Sequence, residues 1–159
     1  MGAYEFEATR RIEFADTDMA GIVHFANFFR YMEATEHRFY RALGLDLHGG
    51  GNVDSGWPRV QASCDYRSPL RFEDRLAVRL LVREKKSRSL RYLFSMERLE
   101  VESDDDSRVL VAVGEMTAVS VARDSDGRLR SVPIPDAFDQ AIEPAPPELI
   151  EAWEASLAR

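Results

Sequence analysis

Apolar and polar positions change period several times along the chain. Glu5 to Phe14 alternates in part and predicts a first strand. Phe25, Phe28, Phe29, Met32, Phe39 and Leu43 then recur at helical spacing, with Arg30, Glu33, Arg38 and Arg41 between them. Gly44 follows the last periodic residue and is a natural stop. The spacing predicts one long helix from about Ile22 to Leu43. It carries more large apolar groups than a surface helix needs, so it should be largely buried. Leu47 to Pro58 is glycine-rich and predicts a loop. Strand-like stretches follow. Arg59 to Ser68 is one. Arg75 to Glu84 sets Leu76, Val78, Leu80 and Val82 on one face. Leu90 to Val101 alternates through Leu90, Tyr92, Phe94 and Met96. Val109 to Arg123 is long and rich in β-branched residues. Lys85 to Ser89 and Glu102 to Ser107 read as hairpin turns. Asp124 to Gly127 ends the last strand, with residues to Val132 as a possible extension. Pro133 to Ile142 starts a short helix, and Pro144 to Arg159 forms a final one, with prolines only at its start.

The order is strand, long helix, then four antiparallel strands joined tightly. A buried helix needs apolar cover, and a curled sheet of about five strands supplies it. The expected class is α+β: a long central helix wrapped by a curled antiparallel sheet, plus short C-terminal helices. No repeat or linker divides residues 1–159, so one domain is expected. Such a sheet leaves edges, and dimerisation is a common remedy.

Composition narrows the classes. Of 159 residues, 45% are apolar and 31% charged, a globular balance with one core. No window approaches the roughly 18 uncharged apolar residues of a membrane span, and the first residues lack the apolar core of a signal peptide. Cys64 is the only cysteine, which leaves no intrachain disulfide and no multi-cysteine metal site. A net charge of −7 argues against general nucleic-acid binding. The expectation is a cytoplasmic protein with neither metal nor nucleic-acid partner.

The stretch FADTDMAGIVHFANFF, residues 14–29, places two carboxylates before a run of aromatics. Acids near a helix start also serve as caps. Asp16-Thr17-Asp18 matches the short string of phosphatases that form aspartyl-phosphates, but no buried parallel strand leads into it. Asp16, Asp18 and His24 lack a further ligand at metal spacing. His37 and His48 read as surface or loop residues. Arg83, Lys85, Lys86 and Arg88 are the densest basic cluster, either a solvated hairpin tip or a phosphate contact.

Residues 11–33, RIEFADTDMAGIVHFANFFRYME, resemble the signature of the 4-hydroxybenzoyl-CoA thioesterase family of hotdog-fold enzymes. The matching positions are Asp18, Ala20, Gly21, Ile22, Val23, His24, Phe25, Ala26, Asn27 and Phe28. WPRVQASCDYRSPLRFEDRLAV is similar to the family's second and third strands, with Pro69 and Asp74 in familiar places, and DGRLRSVPIP to its tail. The resemblance implies a hotdog fold, dimers with a continuous sheet that often pair into tetramers, and hydrolysis of an acyl-CoA at the dimer interface near the long helix's N-terminus. It implies Asp18 as the catalytic carboxylate, nucleophile or general base, and gives Asp16 no such part. It implies the Phe25 backbone N–H as donor to the thioester oxygen, with Gly21 letting substrate approach the backbone. Some relatives carry histidine one position later, at Phe25, so the family's histidine role does not carry over directly, and His24 is either a catalytic residue or a hydrogen-bonded pocket residue. Asn27 either fixes the loop around Asp18 or is a polar group at the helix start. Trp57 is the expected acyl-pocket wall, while Phe25, Phe28 and Phe29 are core or pocket. Lys85, Lys86 and Arg88 are the expected contacts to the CoA phosphates. No cofactor is implied beyond the coenzyme A of the substrate. The rival is a protein that binds acyl-CoA or acyl-carrier protein without hydrolysis. A carboxylate at position 18 favours the enzyme.

Overall fold

The computed structural model describes residues 2–47, 55–100 and 107–158. The centre of the predicted glycine-rich loop, with His48, and most of the predicted turn at 102–107 lie outside them. The chain forms β1 (Glu5–Arg11), α1 (Asn27–Ala42), β2 (Ser55–Gly56), β3 (Arg59–Tyr66), β4 (Arg75–Lys85), β5 (Ser89–Leu99), β6 (Arg108–Val119), β7 (Val121–Arg123), β8 (Leu129–Ser131), α2 (Asp136–Ala141) and α3 (Pro147–Leu157). The main sheet has five antiparallel strands in the order β1-β4-β5-β6-β3. A second sheet orders β2-β7-β8.

The helical stripe does what its spacing predicts. Phe28, Met32 and Phe39 are buried, and Arg30, Glu33, Arg38 and Arg41 face outward. Opposite them, Leu76, Val78, Leu80 and Val82 of β4 and Leu90, Tyr92, Phe94 and Met96 of β5 turn their alternate faces to the helix and are all fully buried. At Gly114 of β6 the helix comes so close that an added Cβ would run into Met32 Sδ and approach the Ser63 carbonyl to 3.3 Å. Met32 is fully enclosed and has nowhere to swing. Gly114→Ala is therefore expected to cost about 1–3 kcal/mol by overpacking, a melting point lower by roughly 2–12 °C, read by calorimetry.

Two boundaries differ from the sequence reading. The helix begins at Asn27 rather than Ile22. Two of the amides ahead of it are taken elsewhere: Val23 N–H donates to Leu70 O at 2.8 Å and His24 N–H to Asp16 O at 2.9 Å. The predicted strand from Val109 to Arg123 is cut at Ser120, whose N–H still donates to Arg88 O at 2.8 Å while its carbonyl accepts the Val132 N–H at 2.9 Å. Beyond it the chain joins the second sheet, and residues up to Val132 return as a separate strand rather than an extension.

The outer face of the main sheet is not bare. Leu81 and Leu93 pack under Ala145 and Trp153 of the C-terminal segment. At the sheet's far side, β3 pairs with β6 only. Along it Val60, Gln61, Ala62, Ser63, Asp65 and Tyr66 are exposed, and its other edge is open among the described residues.

Candidate active site

The loop between β1 and α1 is built around Asp16. Its Oδ2 accepts the Glu13 N–H at 2.9 Å and lies 3.5 Å from Arg10. Its carbonyl accepts both the His24 N–H at 2.9 Å and the Asn27 side-chain amide at 2.8 Å. Asp16 is thus a turn residue that ties the loop's two ends together, and Asn27 takes the loop-fixing part of its two expected roles.

Asp18 stands on the free side of this loop and is exposed. Its N–H donates to Ile22 O at 2.9 Å, its carbonyl accepts from Gly21 N–H at 3.0 Å, and its Oδ1 accepts from Ala20 N–H at 2.8 Å. These bonds orient the carboxylate, and its Oδ2 has no partner among the described residues. Gly21 closes the turn at φ +76°, the left-handed region that favours glycine, and nothing lies within 4 Å of where a Cβ would stand. The backbone is therefore open to a ligand beside the carboxylate.

The next amides complete the arrangement. Val23, His24, Ala26 and Asn27 all donate within the chain, whereas the Phe25 N–H finds no acceptor among the described residues. Its carbonyl is held by the Tyr66 hydroxyl at 3.1 Å, which steadies the peptide that follows. The free amide lies two residues ahead of α1, so the helix dipole favours negative charge there. His24 is exposed, its ring stacked on Phe25 at 4.6 Å, and its Nδ1 accepts the Ala26 N–H at 3.2 Å. It therefore carries its proton on Nε2 when neutral and meets no carboxylate among the described contacts. Phe25 is 62% exposed, Met19 of the same loop is exposed too, and the exposed rings of Phe14 and Phe72 meet each other edge-on at 5.8 Å. Phe28 is core and Phe29 half-buried. Cys64, the single thiol, is pushed up to about 11 by burial and is protonated at neutral pH. Asp18 is then the candidate group for nucleophilic or base chemistry beside the free amide.

Trp57 and the basic turn stand elsewhere in the chain. The 16 residues of α1 span about 24 Å, and Trp57 lies at the far end, packed on Phe138 at 5.2 Å. It lines a mostly apolar cavity of about 470 Å³ with Leu45, Leu47, Val121, Val132 and Phe138. Lys85, Lys86 and Arg88 sit at the distal tip of β4, 11 residues or about 35 Å from the end that joins the Asp18 loop. Lys85 Nζ donates to Asp139 O at 2.8 Å and pairs with its carboxylate at 2.9 Å. Arg88 donates to Ser131 O at 2.5 Å. Lys86 pairs with Glu84 at 3.2 Å, its side chain 66% exposed.

Two features escaped the sequence reading. One is Tyr66. The other is a polar network inside the core: Glu36 is fully buried, accepts the Tyr40 hydroxyl at 2.6 Å and is salt-bridged to Arg59. Tyr40 and Tyr92 share a hydroxyl contact of 2.5 Å. Arg59 also donates to the Trp57 carbonyl at 2.5 Å. Burial raises the Glu36 carboxyl above the ordinary range, with Arg59 and Tyr40 opposing it, and burial also pushes both tyrosines well up. Glu36 lies one turn beyond Met32 on the buried stripe, which was the available signal.

Known proteins share this architecture. Residues 12–142 match the family described as the thioesterase-like superfamily. The chain is 27% identical over 130 residues to the 4-hydroxybenzoyl-CoA thioesterase of a Pseudomonas strain, covering 79% of this chain and 89% of that protein. It is 27% identical over 140 residues to the 1,4-dihydroxy-2-naphthoyl-CoA hydrolase of Thermosynechococcus vestitus, covering 87% of this chain and 89% of the other. The solved 1,4-dihydroxy-2-naphthoyl-CoA thioesterase from Synechocystis superposes with a TM-score of 0.70 at 27% identity, over 87% of this chain and 95% of that one. The chain belongs to the thioesterase-like superfamily, whose hotdog fold it has and whose chemistry is thioester hydrolysis.

Proposed function

We propose that this protein hydrolyses an acyl-CoA thioester with Asp18 and the Phe25 N–H. The observation that carries this reading is a free backbone amide and a free carboxylate oxygen on one exposed loop beside an open glycine. The amide, aided by the helix dipole, stabilises the negative charge that develops on the thioester oxygen. Asp18 acts in one of two ways. As a base it takes a proton from water while the water oxygen bonds to the carbonyl carbon; the C–S bond then breaks and the CoA sulfur leaves with a proton. As a nucleophile its oxygen displaces the CoA thiolate to form an anhydride, which water opens. The named relatives act on aromatic acyl-CoA esters, and an apolar acyl group, aromatic rings included, suits a pocket walled by Trp57 and Phe138.

That pocket is too far from Asp18 to serve it within one chain. The open edge of β3 supports the solution. Two copies joined antiparallel along β3 place the Arg59 end of one strand against the Tyr66 end of the other. Tyr66 holds Phe25 and Arg59 holds Trp57, so each carboxylate faces the other copy's cavity. The test mixes subunits. Asp18→Asn chains and chains whose cavity is filled by Ala137→Trp are each expected to be inactive. Co-expressed with free assortment, they regain about one quarter of wild-type thiol release, because half the dimers are mixed and each has one intact site. No recovery would place the cavity and carboxylate in one chain. Full activity of Ala137→Trp would remove the cavity from the site. No thiol release by the wild type from any short, long or aromatic acyl-CoA would end the thioesterase reading, and stabilisation by such esters without release would favour a binding protein.

For the nucleotide end, Lys85 and Arg88 are engaged by protein carbonyls, so phosphate contact falls first to Lys86. Lys86→Ala is expected to raise KM several-fold for CoA esters and leave KM unchanged for thioesters that lack the nucleotide. Equal changes in both steady-state series would refute it.

A further inference from the structure

The candidate site has two ends, and neither stands on a helix or a strand. Asp18 follows the turn that Asp16 anchors, and the Phe25 amide precedes α1. Both ends are gripped from beneath. At the first, the Arg10 guanidinium lies 3.5 Å from Asp16 Oδ2 and 4.1 Å over the Tyr31 ring. At the second, the Tyr66 hydroxyl donates to Phe25 O at 3.1 Å. Phe28 joins the two grips: its ring meets Tyr31 at 5.9 Å and Tyr66 edge-on at 5.1 Å.

These contacts form one unbroken series from Asp16 to Phe25 through Arg10, Tyr31, Phe28 and Tyr66. Its members come from β1, α1 and β3, so no single stretch of chain could supply it. The middle is held by close packing: Tyr31 is 1% exposed and Phe28 3%. The outer members are more open, with Arg10 half-buried and Tyr66 exposed. A lone ion pair or hydrogen bond at such positions adds little to stability. The consequence of the series is therefore geometric. It fixes where the carboxylate end of the loop stands relative to the amide end.

We propose that Arg10 and Tyr66 are positioning residues, joined through Tyr31 and Phe28 into one brace that sets the separation of the Asp18 carboxylate from the Phe25 amide. This rests on the reading of those two groups as the hydrolytic pair. Arg10 and Tyr66 act through Asp16 and Phe25 rather than on the substrate. A thioester carbon must meet its attacking oxygen while its own oxygen meets the amide, so both groups have to be in place at once. A slip of about 1 Å in either can cost on the order of 10²-fold in rate.

The test follows thiol release from the acyl-CoA that the wild type turns over fastest, in Arg10→Met, Tyr66→Phe and the double variant, with melting curves beside it. Each single variant is expected to lose kcat by about tenfold and to keep KM within about twofold. Each is expected to melt within about 4 °C of the wild type. The double variant is expected to lose little more than one single variant, far short of the product of the two losses. A brace released at one end no longer transmits from the other. Wild-type kcat in either single variant would overturn the proposal. Losses that multiply in the double variant would show two separate contacts, and would overturn it too. So would a large drop in melting point with kcat kept, the mark of a purely structural part, or a loss confined to KM. If the variants keep kcat while Asp18→Asn loses it, the brace fails and the thioesterase reading stands. If Asp18→Asn itself keeps wild-type kcat, or the wild type releases no thiol, that reading falls and the brace falls with it.

Discussion

Asp18→Asn is expected to fold like the wild type and to lose turnover by at least about 10²-fold, the usual scale for an acid–base or nucleophilic group. The fold survives because the side chain is exposed and its one hydrogen bond, from Ala20 N–H to Oδ1, can be kept by the amide oxygen. The turnover falls because an amide neither takes a proton from water nor displaces a thiolate. The loss should appear in kcat with KM little changed, since the acyl and nucleotide ends of the substrate bind elsewhere. Steady-state thiol release, with a melting curve beside it, checks both halves. A wild-type rate in this variant would remove Asp18 from the chemistry and leave the Phe25 amide without its partner. Asp16→Asn should behave differently. Its carboxylate holds the Glu13 amide and Arg10, so the variant loses stability first and activity only through the loop.

Glu36→Ala is expected to be the most destabilising single change in the core. It strips a fully buried carboxylate from Arg59 and Tyr40 and leaves a partly buried cation and a buried hydroxyl without their partner. Removing one member of a buried pair costs about 3–5 kcal/mol, which lowers the melting point by roughly 6–20 °C in a chain of this size. The pH dependence has a definite sign. Burial raises the folded-state carboxyl above its ordinary value, and Arg59 and Tyr40 offset this only in part. The folded state therefore holds a proton that the unfolded chain releases first. Stability from this group is fully present below the ordinary carboxylate range and falls as pH rises through the raised value. In Glu36→Gln that fall should vanish. Denaturant titrations of both proteins at several pH values measure it, and an identical pH slope in the two would contradict the assignment. Because Arg59 also holds Trp57, Glu36→Gln should shift the choice among acyl groups more than the maximal rate.

Much of the fold was legible because two periods carry it. The alternation through Leu76, Val78, Leu80 and Val82 and the stripe through Phe28, Met32 and Phe39 name the two faces that meet. The helix start was misplaced because apolar spacing reports which side chains face inward, and the limit at Asn27 is set by backbone donors that Leu70 and Asp16 accept. The break at Ser120 has the same origin. Asp18, Gly21 and Phe25 were nominated through a resemblance of residue strings, and the strings could not say that the Phe25 amide is free while its neighbours are bonded. Glu36 was missed because a charged residue on an apolar stripe reads as an interruption until Arg59, 23 residues later, is seen to close on it. Ala77 and Leu81, apolar on the wrong side of their strand, were the visible sign that something covers the outer face.

The loop around Asp18 is tied down at Asp16 and Val23, and none of the residues between them is buried. Its interior is therefore nearly uncoupled from folding. Positions such as Met19 and Ala20 can be randomised in a library with little stability penalty, and this chain offers a ready starting point for directed selection of new ester preferences.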